Sequence, residues 1–350
     1  MDWQSVKEKV QHWRETGEDD EGMGVIPRLL IIVVGIYLVG SIFVGAYWSV
    51  MPDRIEIEEF SASLSGQNDE PVVVGTYTTT SLIKVISTLL DKNGGFIGND
   101  LLPPGAWLDN MPNWEYGVLI QSRDLTRALR ESFSRSQSQS QEDVDLSKAE
   151  PSLNFSNDSW AVPATETEYR NAVKFLKRYL NRLSDQSSTR SQFYSRADNL
   201  SYWLAIVESR LGSLSQRLSA SVGRKRLNTD LAGDSAAQQS TYAPADLEVK
   251  TPWTELDDVF HESRGSAWAL SQFLRAAEQD FSEVLQKKNA LVSLQQIIRE
   301  LEAAQQTVYS PVILNGSGFG LLANHSLVMA SYISRANAAI IDLRDLLSQG

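Results

Sequence analysis

The chain has 350 residues, a formal net charge of −12 at pH 7 and no cysteine. An acidic chain without a concentrated basic face is a poor match for a phosphate backbone, which disfavours nucleic-acid binding, and its one short basic cluster, Arg224, Lys225 and Arg226, reads as a solvated loop. Without cysteine, thiolate catalysis and cysteine-based zinc or iron–sulfur sites are excluded, and a body facing an oxidising compartment must be held by packing alone.

Residues 1–28 open with Trp3, Val6, Val10 and Trp13 on one helical face and Lys7, Lys9 and Arg14 on others. The pattern fits an amphipathic helix lying along the cytoplasmic leaflet; a frayed tail or a partner-binding helix fits equally. Residues 29–52, LLIIVVGIYLVGSIFVGAYWSVMP, contain no charged side chain. As a helix they reach about 35 Å, enough to cross a hydrocarbon core of about 30 Å. A cleavable signal peptide is the alternative, but its apolar region is usually about 7–15 residues, and here the acidic run Glu18 to Glu21 precedes the stretch. Basic residues cluster before it (Lys7, Lys9, Arg14, Arg28), whereas only Arg54 follows before Lys84. That bias predicts an N-terminus in the cytoplasm and a body outside. Ser41, Gly45 and Ser49 form a small-residue stripe that would let two spans approach closely, a route to a homo-oligomer.

Residues 53–75 read as a juxtamembrane linker, and 76–350 as the body. Thr80 or Ser81 is a candidate cap for a helix running to about Lys92, with Leu82, Val85, Ile86, Leu89 and Leu90 on its apolar face. The glycines and prolines of GGFIGNDLLPPGAWLDNMPNWEYGVL predict irregular chain as far as Asn113, which would cap a helix beginning at Trp114. A binding loop and a core-plugging loop both fit bulky residues held in such a stretch. The next helix carries Leu119, Leu125, Leu129 and Phe133, then enters a serine and glutamine run that reads by composition as a linker. Thr165 and Glu168 form a candidate capping box for a helix burying Tyr169, Ala172, Val173, Leu176, Leu180 and Leu183.

The second half is periodic. Phe193, Ala197, Leu200, Leu204, Val207, Leu211, Leu214 and Leu218 follow a heptad seam. Thr254 can cap a second long helix through Leu256, Phe260, Ala267, Leu270, Leu274, Ala277, Phe281 and Val284, after which Leu291, Leu294, Ile298 and Leu301 slip in phase like a stammer. Unbroken to Gln306, that helix would be about 75 Å long. NGSGFG breaks the chain before a last helix with Ile333, Ala336, Ile340, Leu343 and Leu347. The fold expected is all-α: a single transmembrane helix, then a long-helix antiparallel bundle with one irregular Gly/Pro-rich loop.

Sites with recognisable chemistry are scarce. Asp258-x-x-His261 has the spacing of carboxylate-bundle metal ligands but no second motif to complete it. Glu262-Ser263 resembles the Glu-Ser of lytic transglycosylases, yet lies inside a heptad helix without their downstream glycine-rich loop. Gly316-Ser317-Gly318 lacks the strand–turn–helix setting of a nucleophile elbow. No catalytic, metal or cofactor-binding residue is therefore named.

The loop GGFIGNDLLPPGAWLDNMPNWEYGVL, the run QSRDLTRALRESFSRSQSQSQEDVDLSKAE and the segment WAVPATETEY together resemble the proteobacterial membrane-anchored family called domain of unknown function 2333. That resemblance covers most of the chain, implies placement in the inner membrane and assigns no activity. It also favours an ordered polar turn over a linker for the serine and glutamine run. The expected function is an envelope scaffold or assembly factor on the periplasmic side, with protein partners in the envelope; an enzyme or binding protein acting on a cell-wall or lipid substrate is the alternative. The candidate functional surface is Asp109, Asn110, Trp114, Glu115, Arg135, Ser136 and Gln137. The acidic loop and the arginines on and beyond the following helix are expected to meet there, through a break near Gly117 or by the loop folding back.

Overall fold

A computed structural model describes residues 24–56, 73–135, 141–185, 191–227, 246–310, 312–317 and 320–349. The amphipathic pattern at Trp3 to Arg14, most of the expected linker and the serine and glutamine run at 136–140 lie outside the described residues. The first helix, α1 (Val25–Trp48), is long and apolar enough to cross a membrane, a property of length and composition that a signal sequence shares. Its apolar side chains face outward, and only Ser41 and Gly45 are buried.

Among the described residues the body is all-α apart from one short ribbon. Its helices are α2 (Thr76–Asp91), α3 (Asn110–Ala128, continued by a π turn at Leu129–Phe133), α4 (Leu146–Leu153), α5 (Thr165–Ser184), α6 (Ala197–Ser219), α7 (Leu256–Asp280), α8 (Ser282–Lys287), α9 (Leu291–Ala303) and α10 (His325–Ser348). After α6, β1 (Arg224–Leu227) pairs antiparallel with β2 (Asp246–Val249).

The centre is the crossing of α3 and α7. A Cβ on Gly117 would overlap the backbone of Glu262 and Ser266, and one on Gly265 would overlap the carbonyl of Trp114. Glycine at both positions lets the backbones touch, and the Ser266 hydroxyl donates to the Gly117 carbonyl at 3.3 Å. Gly117 therefore serves close approach, and α3 runs through it unbroken. Around this crossing Leu119, Leu125, Leu129 and Phe133 are fully buried, as their spacing predicts. Each such side chain contributes about 1.5–3 kcal/mol of burial.

The α6 seam is filled from within the chain. Leu200, Leu204, Val207, Leu211, Leu214 and Leu218 are buried. Helix α10 lies antiparallel against them, with Arg344 paired to Glu208 and Asn337 beside Gly212. The 75 Å rod does not form. Its residues make α7, α8 and α9, separated at Phe281 and at Asn289, whose φ of 53° turns the chain. Helix α9 then runs back along α7, with Gln295 donating to Glu278 at 2.7 Å and Gln305 bonded to Arg264. The phase slip at Leu291 thus marks a turn between helices.

Three helix starts also differ from expectation, and in one of them a group distant in sequence holds the first turn. Helix α3 starts at Asn110 and is capped by Asp109, so Asn113 lies inside it and donates to Asp258 at 2.6 Å. Helix α5 starts at Thr165 without a capping box, since the Thr165 hydroxyl donates to the carbonyls of Ser156 and Ser159. Helix α2 starts at Thr76, five or six residues early, because the buried carboxylate of Asp280 at the end of α7 accepts from the Gly75 and Thr78 amides at 2.8 and 2.7 Å.

Burial pushes the Asp280 carboxyl up to about 6 against the pull of these hydrogen bonds. Its folded value lies above its unfolded one, so the folded state binds the extra proton and this group's contribution to stability falls as pH rises from about 4 to about 6. Asp280→Asn removes the titration. Melting of both proteins in detergent across that range should show the variant gaining on the wild type by up to about 3 kcal/mol as pH rises; a constant difference would contradict the assignment.

Candidate functional site where the apolar helix meets the body

Helix α2 ends in Asp91-Lys92-Asn93-Gly94-Gly95, and the two glycines have φ of 84° and 72°. A side chain on Gly94 would overlap the Trp48 indole, so this turn presents bare backbone to the last residue of α1. Lys92 is folded inward. Its ammonium donates to the Gly95 carbonyl and to the Glu115 carboxylate, each at 2.6 Å, and both side chains are almost fully buried. Glu115 in turn accepts from the Ile97 and Gly98 amides at 2.9 and 2.8 Å. Burial raises the Glu115 carboxyl above its ordinary value, with the Lys92 ammonium opposing. One ion pair thereby ties α2, α3 and the start of the Gly/Pro-rich loop together.

Beyond Gly98, Asn99 donates to the Ser159 carbonyl at 2.9 Å and to Glu166 at 3.0 Å, joining this loop to the segment before α5. The chain then runs along α1. The Tyr37 hydroxyl donates to the Pro103 carbonyl, and Gly45 lies against Pro104 and Leu108. The small-residue stripe is thus covered, at Ser41 and Gly45, by the chain's own loop, while the Ser49 hydroxyl donates to the Gly45 carbonyl at 2.8 Å. Residues 53–56 continue up the body: the Trp268 indole donates to the Asp53 carbonyl, and the Ile55 amide donates to Gln272. An open cleft of about 340 Å³ beside the junction is lined in part by Met51, Asp53, Lys84, Thr88, Asp91 and Lys92.

Four of the expected surface residues gather here, in the first turns of α3. Asp109 is the cap, Asn110 follows it exposed, Trp114 is fully buried against Trp268 with ring centroids 5.2 Å apart, and Glu115 is buried with Lys92. Arg135 lies at the other end, past the π turn and about 35 Å away along the helix. Its guanidinium is 3.8 Å from Glu142; Ser136 and Gln137 lie outside the described residues. The structure therefore does not bring Asp109 and Arg135 together. Sequence reasoning missed Lys92 and Asn99, whose only signal was a polar side chain beside glycines.

The residues of the weighed motifs are engaged elsewhere. Asp258 accepts from Asn113, Glu262 pairs with Arg217 at 2.7 Å, and the Ser263 hydroxyl donates to the Val259 carbonyl. Burial, reinforced by Arg264, holds the His261 imidazole down to about 4, leaving it neutral at pH 7.

A family model described as an uncharacterized protein conserved in bacteria, DUF2333, matches residues 21–350. The chain belongs to this family. No curated protein and no solved structure matches it. In this DUF2333 protein the match spans α1, the Gly/Pro-rich loop and the whole body, so the junction between them lies within the family's own extent.

Removing one partner of a buried ion pair leaves the other unpaired, at a cost of about 3–5 kcal/mol. Lys92→Met and Glu115→Gln should each destabilise the protein by that order, and the double variant by clearly less than the two together. Strictly additive losses in a thermal-melt cycle would show that the pair is not coupled.

Proposed function

We propose that this DUF2333 protein is a single-pass inner-membrane protein that holds a helical body in a fixed attitude on the periplasmic face, as an envelope scaffold or assembly factor. The observation that carries the reading is the docking of α1 on the body. Tyr37 on Pro103, Gly45 on Pro104 and Trp48 on Gly94 give three contacts along one helix. A flexible tether would let a body search for substrate, whereas a docked span keeps one surface at one height above the bilayer. The same contacts favour a retained span over a cleaved signal peptide, because removing α1 would strip cover from Pro104, Leu108 and Gly94. The filled core is consistent with presentation of surfaces, and the bias of Lys7, Lys9, Arg14 and Arg28 supports the orientation. The cleft beside Met51 favours the second reading, binding of a lipid or wall substrate.

Protease added to spheroplasts should digest the body, and crosslinking in intact cells followed by mass spectrometry should give adducts with envelope proteins. Full protection while a periplasmic control is cut would overturn the topology. Adducts of lipid or glycan mass in place of protein adducts would replace the scaffold by the second reading.

A further inference from the structure

Exposed apolar side chains occur at several places on the body, among them Tyr309, Val312, Leu321 and Leu322 before α10, and one group lies beside α1. Leu101, Leu102 and Trp107 are exposed on the Gly/Pro-rich loop, and Trp160 and Val162 on the segment before α5, with Leu102 at 73% and Val162 at 101%. Asn99 ties the two segments together through the Ser159 carbonyl and Glu166. Residues 101–108, LLPPGAWL, contain no ionisable side chain, and Asp100 and Asp109 flank them.

Their position relative to α1 is fixed by contact. The Pro103 carbonyl accepts from Tyr37, which precedes Trp48 by eleven residues, about 16 Å along the helix; Pro104 and Leu108 touch Gly45, about 5 Å from Trp48. With Tyr47 and Trp48 at the outer interface, these contacts lie below it, on the hydrocarbon side.

We infer that the loop Leu101–Leu108 is immersed in the outer leaflet beside α1, and that Trp160 and Val162 enter the same leaflet from the adjoining segment. The inference rests on the reading of α1 as a membrane span and adds a lipid-binding surface to it. The occupant is lipid: acyl chains against Leu101 and Leu102, and the headgroup boundary against Trp107 and Trp160, where amphipathic indoles reside.

Irregular backbone at such depth is tolerated only where its polar groups are met within the protein. This loop meets about half of that demand within the protein. Pro103 and Pro104 have no amide proton, and the amides of Asp100, Ala106, Trp107 and Leu108 bond to the carbonyls of Ile97, Leu102, Pro104 and Gly105. The Pro103 carbonyl is taken by Tyr37.

The absence of cysteine allows single-cysteine probes in the full chain. Leu102→Cys, Val162→Cys, Phe43→Cys in the outward face of α1 and Val292→Cys on exposed α9 all alter exposed positions. Each would carry an environment-sensitive fluorophore, in vesicles of phosphatidylethanolamine and phosphatidylglycerol. Doxyl-labelled lipid should quench most of the emission at 102, 162 and 43 and little at 292, while aqueous iodide should do the reverse. Probes at 102 and 162 behaving like 292, with 43 still quenched by lipid, would overturn the immersed loop alone. A probe at 43 quenched by iodide would overturn the span, and the loop with it.

Discussion

The body depends on two backbones touching where α3 crosses α7, because no side chain fits between Gly117 and Gly265. This contact sets Trp114 against Trp268 and aligns the first turn of α3 with the start of α7, where Asn113 reaches Asp258. It also leaves the far ends of α3 and α7 adjacent, and there Phe133 and Phe281 meet with ring centroids 5.3 Å apart. Forcing a methyl group between close-packed backbones costs about 1–3 kcal/mol or more. Such a cost would bear on both ends of the body.

On that frame, buried carboxylates hold the segments that are not helical. Asp280 at the end of α7 starts α2, and Glu115 in α3, with Lys92, fixes the turn that follows α2. Each carboxylate satisfies backbone amides outside its own helix, Asp280 at the start of α2 and Glu115 in the loop at Ile97 and Gly98, so this chain is positioned by the helices rather than by its own propensity. The Gly/Pro-rich loop inherits its place from this arrangement, and α1 inherits its place from the loop. In the proposed function, the attitude of the body on the membrane is the outward result of these internal contacts.

Helix faces were legible in the sequence because burial imposes a period: Tyr169 to Leu183, Leu200 to Leu218 and Ile333 to Leu347 are buried where spacing put them. Helix starts were less legible. A local cap such as Thr80 or Asn113 is visible in sequence, whereas Asp280 acts across some two hundred residues and leaves no local trace. The phase slip at Leu291 misled for a related reason, since a stammer within one rod and a turn at Asn289 that folds α9 back along α7 leave the same local pattern. Helix α4 was missed because it follows directly on the serine and glutamine run, which read by composition as a linker. Of the candidate surface, Asp109 to Glu115 was singled out by its odd composition. The expected meeting with Arg135 required a broken helix or a loop folded back along it, and the glycine that suggested the break serves the crossing instead.

The central claim is that span and body form one rigid unit. Spin labels on Ile36→Cys in α1 and Val292→Cys in α9, both exposed positions, report the distance between them by pulsed electron resonance. The account predicts one narrow distance distribution, the same in micelles and in bilayers. A broad distribution, or one that changes between the two, would contradict it.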